Sequence, residues 1–393
     1  MTLQRSRIYG LDTLRALAII LVFMSHYTSF VTDKPIFGFL GEIGWSGVDL
    51  FFALSGYLIG NQIFSAMRGE QRGEGRFSLM RFYARRFLRT LPNFYVVLAL
   101  YALWPWFRAG GELPPLWKFL TFTQNINLRA GTPFSHAWSL SVEEQFYMLL
   151  PALALLVAAF RITPRAPLAL AWLLVAASVV GGMLVRDHMW ARYDATHDGF
   201  QYYALIYYSS LCRFDELVAG VALALVKNFH PALWTRLTSY GNRMLAAGLA
   251  LLAAIWYPFV QDHYSHAMTV FGYPVLALSF SLLLLAALSP GSLLREVRVP
   301  GAGSIALWSY AIYLSHKQIC ILLGRALKEW GMDTSAGSSV LIISAASLLG
   351  GWLLYQLVET PFMRLRERYL PGNLEFSASR SRQTAPASIP GTP

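Results

Sequence analysis

Hydrophobic positions in this chain fall in long unbroken runs, not in the alternating or every-third-residue patterns of a soluble domain. Runs near the roughly 20 residues that cross a bilayer core lie at 11–31, 45–64, 90–107, 140–160, 167–185, 204–226, 243–260, 266–289, 302–325 and 336–358. This pattern predicts an all-α, polytopic membrane protein of about ten transmembrane helices. The first run has no small-residue cleavage site behind it and leads to another span, so it reads as a retained helix and not a secretion signal. Composition agrees, since 55% of the 393 residues are hydrophobic and only 13% are charged, about half the charged share usual in soluble domains.

A net charge of +11 would suit nucleic acid if the basic residues were gathered on a soluble domain, but they sit in short loops between the apolar runs. With the N-terminus inside, 21 Lys and Arg fall on the inner side and eight on the outer, which predicts both termini in the cytoplasm. The bias rests on the 68–89 loop and the C-terminal tail. Cys212 and Cys320, the only cysteines, lie within predicted spans and exclude a disulfide framework or a cysteine zinc site; no metal is expected. One membrane domain is expected over 1–370, followed at 371–393 by a Ser-, Pro- and Ala-rich tail with no hydrophobic face, read as disordered and cytoplasmic.

Polar residues inside the runs are the candidates for chemistry, because an ionisable group within a span is by default a functional one. Arg15 and His26 are eleven residues apart, three helical turns, and so share one face at two depths roughly 16 Å apart. In the second span Asp49 falls level with His26, either orienting its ring or stabilising its own helix start. Ser141 and Glu144 have capping-box spacing, which leaves Glu143 as the candidate to bind or activate an acceptor hydroxyl, with His136 and Trp138 beside it. Arg213, Asp215 and Glu216 in the sixth span are expected to pair with each other or face a polar cavity, a structural ion pair being favoured over direct catalysis. Tyr310, Tyr313, His316 and Lys317 fall in the ninth, where Tyr313 and His316 share a face. In the inner loop Arg81, Arg85 and Arg89 recur at steps of four, with Arg86 one turn from Arg89; that cluster touches either anionic lipid or a phosphorylated ligand. Gly56 and Gly60 read as a packing surface, and "VETPF" with Glu359 as a helix terminus.

In order along nearly the whole chain, "LDTLRALAIILVFMSH", "GVDLFFALSGYLI", "RRFLRTLPNFY", "HAWSLSVEEQFY", "RFDELVAGVALA", "SYAIYLSH" and "LVETPF" resemble the acyltransferase-3 family of membrane acyltransferases. The resemblance implies an enzyme moving an acyl group, commonly acetyl, from cytoplasmic acyl-CoA to a hydroxyl of an extracytoplasmic carbohydrate. The expected setting is the inner membrane of a bacterium. It implies a standalone member without a fused SGNH hydrolase-like domain, working beside other polysaccharide-assembly proteins. Arg15 and His26 then match the family's Arg and His pair, and Arg86 and Arg89 its RxxR pair. Arg85, Arg86 and Arg89 would hold CoA phosphates and Arg15 would guide the pantetheine arm. His26 would act as general base or be transiently acylated, with Glu143 and Asp49 positioning the acceptor or the ring. His136, Trp138, Tyr313 and His316 are the candidates for acceptor binding. The alternative weighed is a secondary transporter of a small polar or anionic solute, which would need inverted repeats and broken helices; the sequence displays neither.

Overall fold

In the computed structural model, which describes residues 8–375 apart from 33, 161, 162 and 164, every predicted run contains helix. The helices are α1 (Tyr9–Tyr27, continued by a π turn, Thr28–Thr32), α2 (Gly47–Gln71), α3 (Leu79–Leu103), α4 (Trp138–Ala159), α5 (Ala166–Asp194), α6 (Asp215–Phe229), α7 (Pro231–Thr238), α8 (Gly241–Gln261), α9 (Tyr273–Leu288), α10 (Ala302–Glu329), α11 (Gly337–Leu354) and α12 (Thr360–Tyr369). A π turn at Tyr355–Glu359 joins α11 to α12, so the "VETPF" stretch lies inside one long helical segment and is not a terminus. Two-residue strands β1 (Arg76–Phe77) and β2 (Leu374–Glu375) pair antiparallel and tie the chain after α12 to the loop before α3. The expected tail lies outside the described residues from 376 onward.

Among the described residues, seven segments are long and apolar enough to cross a membrane, or eight if α6 and α7, bent by 113°, count as one. The shortfall from ten has a physical cause. Helices α3 and α10 have 25 and 28 residues, ample length at 1.5 Å per residue. They are polar, however, because their Arg, Tyr, Ser, His and Lys side chains face the protein interior. Hydropathy also fails to tell inside from outside. The Met268–Leu288 segment and α5 are comparably apolar, yet 72% of the first is buried and 6% of the second. In lipid a leucine is equally satisfied against a neighbouring helix or an acyl chain.

The sixth apolar run, 204–226, is broken, contrary to the expectation of intact spans. It passes through a π turn (Tyr203–Tyr207) and a 3-10 turn (Ser210–Cys212) before α6 begins. Carbonyls released by the break cannot stay bare in a bilayer, and interior side chains take them up. Arg213 donates to the Tyr207 oxygen at 3.3 Å, Asn125 to that of Tyr208 at 2.9 Å and Arg186 to that of Cys212 at 2.8 Å.

Helices α2 and α6 cross where two glycines meet. A Cβ on Gly56 would stand 2.0 Å from the Leu217 carbonyl oxygen, and one on Gly220 2.3 Å from that of Ala53; Gly60 has a looser contact, 3.1 Å from the Ala224 methyl. The close crossing carries Asp49 and Ser55 on α2 past Asp215 and Glu216 on α6. Gly56→Ala or Gly220→Ala is therefore expected to destabilise by about 1–3 kcal/mol through overpacking, seen as a lower unfolding midpoint of the detergent-purified protein. Gly181→Ala on α5, where nothing lies within 4 Å, should leave it unchanged.

Candidate active site

Between α1, α2, α3, α4 and α10 lies a cavity of about 170 Å³, lined among others by Arg15, Ser55, Arg86, Arg89, Glu143, Tyr147, Tyr310 and Tyr313. It is smaller than the roughly 300 Å³ at which whole small-molecule sites begin, so it fits a narrow arm entering end-on. Arg86 is already compensated: it lies 3.9 Å from Glu143 and 3.6 Å from Glu144, with its guanidinium 3.9 Å above the Tyr147 ring. Glu143 also accepts a hydrogen bond from the Ser55 hydroxyl at 2.8 Å. Arg15 and Arg89 line the same cavity without a hydrogen bond or ion pair to any described residue. Both guanidinium groups thus face the cavity without a direct hydrogen-bonded partner, an arrangement whose chemistry suits an anion.

Two sequence expectations fail here for geometric reasons. Arg85 does not join Arg86 and Arg89. A step of four leaves it about 40° from Arg89, but its side chain turns to the end of α12, donating to the Leu370 carbonyl and lying 3.6 Å from Glu367. The capping box also fails, because α4 begins at Trp138. Ser141 is thus a turn inside the helix, its hydroxyl buried without a hydrogen-bond partner, and Glu144 is committed to Arg86.

Asp49 and Trp138 belong to a different structure from the one expected. Asp49 is fully buried and ion-paired with Arg213, and does not orient His26. The Arg213 guanidinium lies 4.5 Å from the Tyr273 ring, 4.6 Å from Tyr207 and 5.1 Å from Trp138. Trp138 is thus one wall of a cation cage and does not line the cavity. Asp215 pairs not with Arg213 but with Arg186 of α5, through contacts of 2.5 and 3.0 Å. Glu216 is buried with neither carboxyl oxygen hydrogen-bonded. Glu359 is structural, accepting from Asn93 of α3 at 2.8 Å.

Three histidines gather beyond the cavity. His26 Nδ1 and His316 Nε2 are 2.8 Å apart with ring planes within 6°. The His136 ring centre lies 6.0 Å from that of His26 and 5.8 Å from that of His316. Lys317 donates to the Ser135 hydroxyl at 2.9 Å and lies 4.3 Å from the Phe30 ring centre. None of these three histidines lines the cavity; Tyr313 stands between. Its hydroxyl donates to the His136 carbonyl at 2.6 Å, so Ser139, 2.7 Å away, must donate to it. Arg15 and His26 share a helix but not a chamber. Among the described residues, no three or more His, Cys, Asp and Glu side chains form a group that could hold a metal ion. Sequence reasoning missed Tyr147, although it follows Glu143 by four residues and so shares its face, and Ser55, which no spacing links to Glu143.

A bundle of membrane-length helices with Arg15, Arg89 and Glu143 around an interior cavity, and a histidine cluster behind Tyr313, is the architecture of a multi-pass membrane protein with polar groups in its interior. The chain belongs to the acyltransferase-3 family, whose model, described as an acyltransferase domain, matches residues 8–356. It is 26% identical over 380 residues to the peptidoglycan O-acetyltransferase OatA of Listeria monocytogenes, covering 92% of this chain and 56% of that protein. It is 27% identical over 341 residues to YrhL of Bacillus subtilis, provisionally named a peptidoglycan O-acetyltransferase (80% and 48%), and 23% identical over 377 residues to the O-acetyltransferase OatA of Staphylococcus aureus (90% and 57%). The chain spans about half the length of the curated relatives it matches. No solved structure matches it. These comparisons give the transporter alternative no support.

Because Asp49 and Arg213 form a buried pair, removing one partner strands the other charge, at about 3–5 kcal/mol. Asp49→Asn and Arg213→Gln should each lower the unfolding midpoint strongly. The double variant should recover part of the loss, a coupling measurable as a double-mutant cycle and absent if Asp49 serves only as a catalytic carboxylate.

Proposed function

We propose that the protein is a membrane O-acyltransferase, an O-acetyltransferase in the simplest form, using cytoplasmic acyl-CoA to acylate a hydroxyl of an extracytoplasmic carbohydrate. The acceptor class is a surface or secreted polysaccharide or its lipid-linked precursor, in the inner membrane of a bacterium. The observation that carries this reading is the pair of uncompensated arginines, Arg15 and Arg89, in a narrow cavity that also holds Glu143. An anionic donor with a thin reactive arm fits it, whereas a small neutral solute would leave both charges unanswered. The relatives' names favour a carbohydrate acceptor. The arginine-rich inner loops favour the donor's entry from the cytoplasm, and polysaccharide-assembly proteins are the natural suppliers of the acceptor.

In this reading Arg15 and Arg89 meet the diphosphate at the root of the donor's thin arm, the bulkier nucleotide staying outside the narrow cavity, with Arg86 held ready by Glu143 and Glu144. The thioester lies along α1 toward His26, three turns or roughly 16 Å further, once the Tyr313–Ser139 contact yields. The acceptor oxygen attacks the thioester carbonyl carbon as His26 takes the hydroxyl proton. The carbon–sulfur bond breaks and the CoA thiolate leaves with a proton from the imidazolium. Transient acylation of His26 gives the same products in two steps.

Comparing the O-acyl content of surface and secreted polysaccharides by mass analysis, with and without the protein, tests the assignment; an unchanged ester content would overturn it. His26→Ala is expected to abolish transfer while leaving membrane insertion intact. Arg89→Gln and Arg15→Gln should each raise the KM for acetyl-CoA on the order of tenfold, as loss of a charge-assisted contact does, whereas Arg85→Gln should leave it near its original value.

A further inference from the structure

We propose that His316 is a positioning residue that sets the tautomer of His26 and leaves its Nε2 as a bare, reachable base. The inference rests on His26 being the base in the reading above, and starts from a backbone carbonyl. His316 Nδ1 lies 2.9 Å from the Ile312 carbonyl oxygen, one turn earlier on α10. A carbonyl only accepts, so the Nδ1 carries the proton and a neutral His316 presents a lone pair at Nε2. His26 Nδ1, 2.8 Å away and nearly coplanar, must then donate. With its single proton at Nδ1, His26 keeps the lone pair at Nε2.

Three further observations support this order. His26 Nε2 makes no hydrogen bond with a described residue, yet it is not among the buried polar atoms lacking a partner, so it is accessible. His136 is the contrasting case: its Nε2 lies 3.2 Å from the Leu314 carbonyl oxygen, and its Nδ1 is buried with no partner. Of the three histidines, one therefore offers its bare nitrogen to a neighbour, one has it sealed in, and only His26 exposes it. The other charged or titratable groups at the pair are His136 and Lys317, neither with an acidic partner among the described residues; a second proton on His316 would add a cation beside Lys317 with no counter-ion among those residues. The relay does for His26 what a buried carboxylate does elsewhere for a catalytic histidine, with a neutral ring anchored to the backbone as acceptor.

The test uses the full-length protein labelled with 15N-histidine in lipid nanodiscs, the His26 signals being assigned by their loss in His26→Gln. We expect His26 protonated at Nδ1 and bare at Nε2. His316→Leu should move the proton to Nε2, at least in part. The same variant should lower the kcat for transfer of labelled acetyl from acetyl-CoA to cell polysaccharide about 100-fold, the lower range for loss of a general base, with the KM for acetyl-CoA within about twofold. His316→Gln, which can place an acceptor oxygen near the lost Nε2, should restore the tautomer and most of the rate. The proposal is overturned if wild-type His26 carries its proton at Nε2 or on both nitrogens, if His316→Leu leaves the tautomer unchanged, or if His316→Gln behaves as His316→Leu does. A wild-type tautomer as expected, shifted in His316→Leu with transfer unaffected, upholds the relay and sinks instead the role of His26 as base.

Discussion

Every polar group this chain carries into the bilayer must find its partner within the protein, because lipid offers none. That requirement shapes the structure more than any apolar contact does, for the apolar side chains are content on either side of a helix. It turns the polar faces of α3 and α10 inward and breaks the sixth run at a point where Arg186, Arg213 and Asn125 can satisfy the released carbonyls. It also sets apart Arg15 and Arg89, which face a cavity without a direct hydrogen bond or ion pair, as the groups that a ligand would complete in the proposed reading.

The arginines divide along this line. Arg213 and Arg186 are buried and matched to Asp49 and Asp215, Arg213 also by aromatic faces, and such matched charges brace the bundle around the broken segment. Arg86 is intermediate, shared between Glu143 and Glu144 and stacked on Tyr147. Arg15 and Arg89 stand at the other extreme, lining a cavity without a direct hydrogen bond or ion pair to any described residue. Residue type is the same in all five, and only the partners separate structural arginines from candidate ligand-binding ones.

This is why the fold was largely legible in the sequence and the site only in part. Apolar runs announce helices through composition alone. The eleven-residue step from Arg15 to His26 is a property of one helix, and so is the step of three from Arg86 to Arg89. Pairings between helices leave no such trace. Nothing in the chain says that Asp49 meets Arg213, 164 residues on, and not His26 at its own depth. Nor does it say that His26 meets His316, 290 residues away. Arg85 was misjudged because a step of four with Arg81 and Arg89 made it look like part of their face, and Glu144 because a three-residue spacing resembles a cap wherever the helix starts.

The arginine cavity and the histidine cluster are separate, and their separation makes chemical sense. A thioester reaching a reactive histidine in an open, wet passage would be exposed to water as readily as to an acceptor hydroxyl, and hydrolysis would waste it. In the structure the arginine cavity ends at Tyr313, held by the His136 carbonyl and by Ser139, with the histidines directly behind its ring. Both hydrogen bonds are to groups on the segment that opens α4, the helix that also presents Glu143 to the cavity. Displacing Tyr313 therefore means moving the start of α4 relative to α10, the helix that carries His316 and Lys317. In the proposed reading, a donor that pulled on Glu143 through Arg86 would act on that same helix, and α4 is the element through which its arrival would open the way to His26.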